Sequence, residues 1–182
     1  MRRLRTIAIL GFAIVATAPV RGLPALAHAL PPIRVERIDG QSKALPGGPL
    51  PLLIQYEDKD AQKQNLKLKV ALGRVNGNPG NVERYEYVPV ADVENWDWWP
   101  ARKYVLDDLR AIAERKHMAV YADWKGTLRK AWGFARGHSA ILLVGADGRP
   151  RFVGEGPLSD AQLAALMTAL RDVGVDTGEE GR

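Results

Sequence analysis

The chain contains no cysteine in its 182 residues. That absence excludes disulfides, zinc–thiolate sites, iron–sulfur clusters and any reaction that runs through a thiolate. Histidine is scarce as well, with three residues and no H-x-x-x-H or H-E-x-x-H spacing, so a histidine-based metal centre has no motif. No G-x-x-x-x-G-K-S/T loop is present, and no cofactor is implied. A large charge excess is also missing once the chain is divided. The whole sequence carries +5, but residues 1–29 hold Arg2, Arg3, Arg5 and Arg21 and no acid. The rest has 22 Lys+Arg against 21 Asp+Glu, which removes the electrostatic case for nucleic acid. What is present is globular composition, 46% apolar and 26% charged, at a length that suits one domain.

The N-terminus reads as an address. Met1-Arg2-Arg3-Leu4-Arg5 is basic, Ile7 to Val20 is uncharged and apolar, and Ala25-Leu26-Ala27 and Ala27-His28-Ala29 are overlapping A-x-A sites. This is the pattern of a secretory signal peptide over residues 1–29, cut after Ala29 or Ala27, with the mature chain periplasmic or extracellular. Arg21 interrupts the apolar run, which is short for a membrane span. The alternative is an uncleaved anchor, and membrane contact is expected only through that segment.

Beyond it, Ile33, Val35 and Ile38 alternate with charged residues as a half-buried strand, and Asp39-Gly40 is a turn. Leu50 to Tyr56 is an apolar run, as for a strand buried on both faces. Ala61 to Leu72 reads as a helix with Leu66 and Val70 inward and Gly73 at its end, although Leu66, Leu68, Val70 and Leu72 also alternate like a strand. Tyr85 to Val93 is the next strand. Pro100 can occupy the first turn of a helix running to about Lys116, with Val105, Leu109 and Ile112 buried. A strand over Met118 to Ala122, a short helix near Thr127 to Trp132 and the strand Ala140 to Val144 follow. Asp147-Gly148 makes a hairpin turn to Arg149–Val153. Ser159 and Gln162 form a capping box for a last helix that Gly174 stops. This alternation implies an α/β domain with a central mixed sheet, a parallel core and an antiparallel end.

Several segments carry more specific signals. Ala131-Trp132-Gly133-Phe134, Arg136-Gly137-His138-Ser139, Ala140 to Gly148 (AILLVGADG) and Gly156-Pro157-Leu158-Ser159 together resemble the C-terminal half of the thioredoxin-like superfamily, with its secreted, cysteine-free, YtfJ-like branch as the nearest group. The resemblance implies a thioredoxin-like domain over residues 30–175 with an N-terminal β extension and a flexible tail over 176–182. Two departures matter. Where the family carries Cys-x-x-Cys, at the junction of the first core strand and its helix, this chain has Glu57-Asp58-Lys59-Asp60-Ala61-Gln62. Where the family carries its cis-proline, this chain has Ser139. Thiol–disulfide exchange and thiol peroxidase chemistry are therefore excluded.

Two constellations remain as candidate binding residues, and none is assigned as catalytic. The resemblance brings Glu57, Asp58 and Asp60 opposite His138 and Ser139, where a carboxylate could orient the imidazole and raise its pKa. Against that, an acidic first turn simply favours a helix N-terminus. Trp96, Trp98 and Trp99 crowd one loop and suit either packing or a binding surface. Lys59, Lys63 and Lys67 would form one stripe on a helix, a solvated face or a contact for an acidic partner. The leading expectation is an exported, redox-inactive thioredoxin-like domain that binds an envelope protein or peptide. The alternative is a non-thiol enzyme using the Glu57–Asp60 carboxylates with His138, in a hydrolase-like or phosphatase-like role.

Overall fold

The computed structural model describes residues 28–178. The proposed signal segment therefore lies outside the described residues, apart from its last two positions. Seven strands form one mixed sheet: β1 (Ile33–Arg37), β2 (Ser42–Leu45), β3 (Leu52–Glu57), β4 (Glu86–Asp92), β5 (Tyr121–Asp123), β6 (Ala140–Val144) and β7 (Pro150–Glu155). Four helices accompany them: α1 (Leu66–Asn76), α2 (Ala101–Lys116), α3 (Thr127–Trp132) and α4 (Asp160–Asp172). The spatial order is β2-β1-β5-β4-β3-β6-β7. β3, β4 and β5 run parallel, as expected of strands joined through helices. The β1–β2 hairpin adds antiparallel to β5, and β6–β7 adds antiparallel to β3.

The apolar runs explain the layers. Because successive side chains in a strand alternate, Ile54 and Leu142 enter one cluster with Leu128 and Trp132 of α3. Leu53, Ile141 and Leu143 face the other way, against Leu68 and Leu72 of α1 and Leu166 and Leu170 of α4. β6 is buried along its whole length, which is why its sequence shows no alternation. A third cluster packs Leu109 of α2 on Val93, Ala122 and Trp124. Among the described residues no helix is long and apolar enough to cross a membrane.

The structure corrects the sequence reading in four places. Ala61–Lys63 is only a 3-10 turn, and α1 starts at Leu66 and runs past Gly73 to Asn76. Its buried face is Leu68, Leu72 and Val75, at i, i+4 and i+7, whereas Leu66 and Val70 are 63% and 60% exposed. Lys59, Lys63 and Lys67 consequently share no helical stripe, and Lys67 instead pairs with Asp160. The short edge strand β2 has no sequence counterpart, because only Leu45 of its four residues is buried. β5 begins at Tyr121 rather than Met118, and Pro100 precedes the first residue of α2 instead of occupying its first turn.

The capping box at α4 is present: Ser159 Oγ accepts from Gln162 N, and the Gln162 side chain accepts from Ser159 N. Asp176, assigned to the tail from sequence, is held by Asn78 and Asn81.

Candidate functional site

β3 ends at Glu57, the corner where the sequence resemblance leads one to expect Cys-x-x-Cys and this chain has none. Beyond it the chain turns on Asp58, whose Oδ1 accepts from the backbone N–H of Asp60 (3.1 Å) and of Ala61 (2.9 Å). This is the local side-chain-to-backbone bonding that makes Asp a turn former. Asp58 Oδ2 accepts from Gly137 N at 2.6 Å, tying the turn to the loop that precedes β6. Gln64 fastens the same loop from the other side. Its Nε2 donates to Gly137 O (2.8 Å) and its Oε1 accepts from Ser139 N (3.0 Å). Ser139 O accepts from Gly156 N at 2.8 Å. The fully buried Ser139 hydroxyl donates to Glu57 Oε1 (2.8 Å), and Lys69 Nζ donates to Glu57 Oε2 (2.8 Å). Asn65, in the left-handed region at φ 56°, donates to Gly156 O and accepts from Leu158 N.

This geometry defines what the corner can do. The backbone N–H and C=O of both Gly137 and Ser139 are engaged internally, which fixes the loop on either side of His138. Of the five residues the resemblance brought together, Glu57, Asp58 and Ser139 share one bonded network. Asp60 and His138 are exposed and, among the described residues, make no side-chain hydrogen bond. His138 and Ser139 are consecutive in extended chain, so their side chains diverge. Gln64 and Lys69 complete the network, and nothing in the sequence singles them out.

The neighbouring strand ends carry a second polar cluster. β4 ends in Val90-Ala91-Asp92 and β5 in Tyr121-Ala122-Asp123, with Asp92 and Asp123 in register. That repeated apolar-Ala-Asp ending was a legible signal, and both carboxylates are buried. Asp123 accepts from the Tyr56 hydroxyl (3.1 Å), Thr127 N (2.8 Å) and Leu128 N (2.9 Å), so it caps α3 from a distance. Burial, reinforced by Asp123 and Asp92, pushes the Tyr56 phenol far above its usual range. Asp92 accepts from Arg129 Nε at 3.0 Å.

Outside these buried groups the cluster opens to solvent. Glu94 binds Arg129 (2.5 Å), Lys130 and Arg136, and Asp97 binds Arg102 and Lys125, each at 2.5 Å. A Cβ on Gly126, at φ +60°, would stand 2.7 Å from Glu94 Oε2, so a larger residue there would be strained and would push the carboxylate aside.

The hydrogen bond from Lys130 lowers the Glu94 pKa, and that from Lys125 lowers the Asp97 pKa. Depressed folded pKa values contribute stability above the unfolded values, and that stability is lost as pH falls through the folded ones. Urea midpoints should therefore be flat between about pH 7 and pH 5 and fall below about pH 4.5. Glu94→Gln should blunt the fall. An unchanged acid limb in that variant would show that the pairs contribute nothing.

Above this cluster lie the tryptophans. Trp96 stands beneath Lys59 Nζ, 5.4 Å from its ring centroid, and Trp98 Nε1 donates to Asn95 O at 3.2 Å. Trp98 is 57% exposed, Trp99 86% and nearby Tyr104 67%. Trp98 and Trp99 wall an open groove of about 440 Å³ with Asp97, Arg102, Lys103 and Leu106. The other two tryptophans, Trp124 and Trp132, are buried. The guanidinium of Arg102 lies 4.2 Å from the Trp124 ring, joining the groove to the α2 core.

Comparison with known proteins places this architecture. Residues 103–173, from α2 through α4, match the sequence model of the family described as "Bacterial protein of unknown function (YtfJ_HI0045)". An uncharacterized protein of Haemophilus influenzae is 34% identical over 55 residues, and the match spans 30% of this chain and 30% of that protein. A thiol-disulfide oxidoreductase from Bacteroides fragilis superposes with a TM-score of 0.57 at 11% identity, covering 80% of this chain and 99% of that one. A thiol peroxidase from Chromobacterium violaceum superposes with a TM-score of 0.57 at 14% identity, covering 83% and 88%. At such identities the likeness is one of fold. The chain thus has a thioredoxin-like fold without cysteine, and its residues 103–173 match the sequence model of that bacterial family.

Proposed function

We propose that this chain is exported and serves as a redox-inactive thioredoxin-like domain that binds a protein or peptide of the cell envelope, in the periplasm or outside the cell. Export rests on the basic, apolar and A-x-A succession over residues 1–29. It is supported by Leu30, which is buried and donates its N–H to Gly148 O at 3.0 Å, so a cut after Ala29 retains this packed residue at the start of the mature chain.

The observation that carries the binding reading is the exposure of Trp98 and Trp99 beside a groove. A tryptophan side chain offers about 150–250 Å² of burial, and indoles are enriched where partners dock. The corner at Glu57, Asp58 and Ser139 acts as a brace beside that surface, with Lys59 linking the two across Trp96. A hydrolytic use of the corner lacks support, because Ser139 is buried and bonded to Glu57 rather than to His138.

A photo-crosslinking residue placed in living cells at Trp98, and separately at His138, tests the reading. Capture of one discrete envelope partner from position 98, stronger than from 138, is expected. No specific product from position 98 would remove the proposal.

A further inference from the structure

The carboxylates of the tryptophan surface are outnumbered by its cations. Asp97 is shared by Arg102 and Lys125, and Glu94 by Arg129, Lys130 and Arg136. Asp92 is already held by Arg129, and Glu36 reaches Arg102 only at 3.4 Å. Two further cations make no ion pair among the described residues: Lys59, which lies on the Trp96 ring with the exposed Asp60 next to it in the chain, and Lys103, which lines the groove. The chain after residue 29 is almost neutral, so this excess is a local feature and not a property of the whole surface. Arg102 and Lys103, against Asp97 alone, line the groove, whose apolar walls are two indoles and Leu106.

We infer that this groove takes an acidic peptide segment, with one large apolar side chain seated between Trp98, Trp99 and Leu106 and flanking carboxylates on Lys103 and Lys59. The inference rests on the binding reading above and names its partner by chemistry. Opposite charge around an apolar slot steers encounter and fixes orientation, while the buried apolar anchor supplies affinity. A second copy of the chain would bring the same cation excess against itself, and like charges disfavour that pairing. A flat bilayer would leave the groove, with Asp97 along it, unfilled.

The test is selection of random dodecapeptides displayed on phage against the full chain and against its Trp99→Ala and Lys103→Glu variants. Both substituted side chains are exposed, so the fold should survive, and circular dichroism checks that. Enrichment of sequences with Asp or Glu around a single large apolar residue is expected. Synthetic versions of those peptides should bind at least about tenfold more weakly to Trp99→Ala, and Lys103→Glu should lose the preference for acids.

Enriched peptides without acidic residues would overturn the acidic assignment and leave peptide binding intact. No enrichment on the unsubstituted chain would overturn both. Binding of phosphatidylglycerol vesicles through Trp99 in the absence of peptide binding would assign the face to lipid. Trp99-dependent dimerisation would assign it to a second copy. Either result overturns the inference.

Discussion

Replacing Asp123 by alanine is expected to destabilise the protein by about 4 kcal/mol, the scale of stripping partners from a buried charged group's network. The side chain accepts three hydrogen bonds and is almost wholly buried. Alanine would leave the backbone N–H groups of Thr127 and Leu128 without acceptors and the Tyr56 hydroxyl with Asp92 alone. α3 has no alternative, because Gly126 stands at its N-terminus and offers no capping side chain. Asparagine keeps one acceptor oxygen and should cost about half as much. Equilibrium urea unfolding measures both. A loss below about 1 kcal/mol for alanine would mean that water satisfies these groups and that the cluster is not structural.

Asp123 also shows how far the sequence could be read. The strands around it were legible because buried strands are apolar over their length and their ends carry turn residues. β6 and α3 were located to the residue, and the α4 cap was found from Ser159 and Gln162 alone.

The start of α1 was not legible, for a physical reason. Leu66 and Val70 are apolar yet face solvent, so they overlay a false period on the true one of Leu68, Leu72 and Val75. The real boundary is set by Asn65, whose left-handed backbone and bridging amide depend on Gly156 and Leu158, some 90 residues away. Gln64 and Lys69 were hidden in the same way, because their partners are tertiary. The meeting of Glu57, Asp58 and Ser139 could be expected only through the family resemblance. The exposure of Trp98 and Trp99 could be raised from sequence but not decided, since a loop tryptophan can equally cap a sheet.

Ser139→Pro is expected to lower stability by about 3 kcal/mol. Proline removes the N–H that Gln64 Oε1 accepts and the hydroxyl that Glu57 accepts, leaving the Glu57 carboxylate with Lys69 alone. Ser139→Ala removes only the hydroxyl and should cost about 1 to 1.5 kcal/mol. The order of the two variants, read from thermal or urea unfolding, is the informative result. A proline variant as stable as the parent would show that the two bonds from Ser139 contribute nothing to stability.

The bond between Asp58 and Gly137 makes one side chain a fastener for two loops. One carboxylate serves three backbone amides, those of Asp60, Ala61 and Gly137. A side chain without an acceptor at position 58 would release all three at once, so the turn after β3 and the loop before β6 come loose together or not at all. The two loops therefore behave as one mechanical part, although Asp58 and Gly137 lie 79 positions apart in the chain.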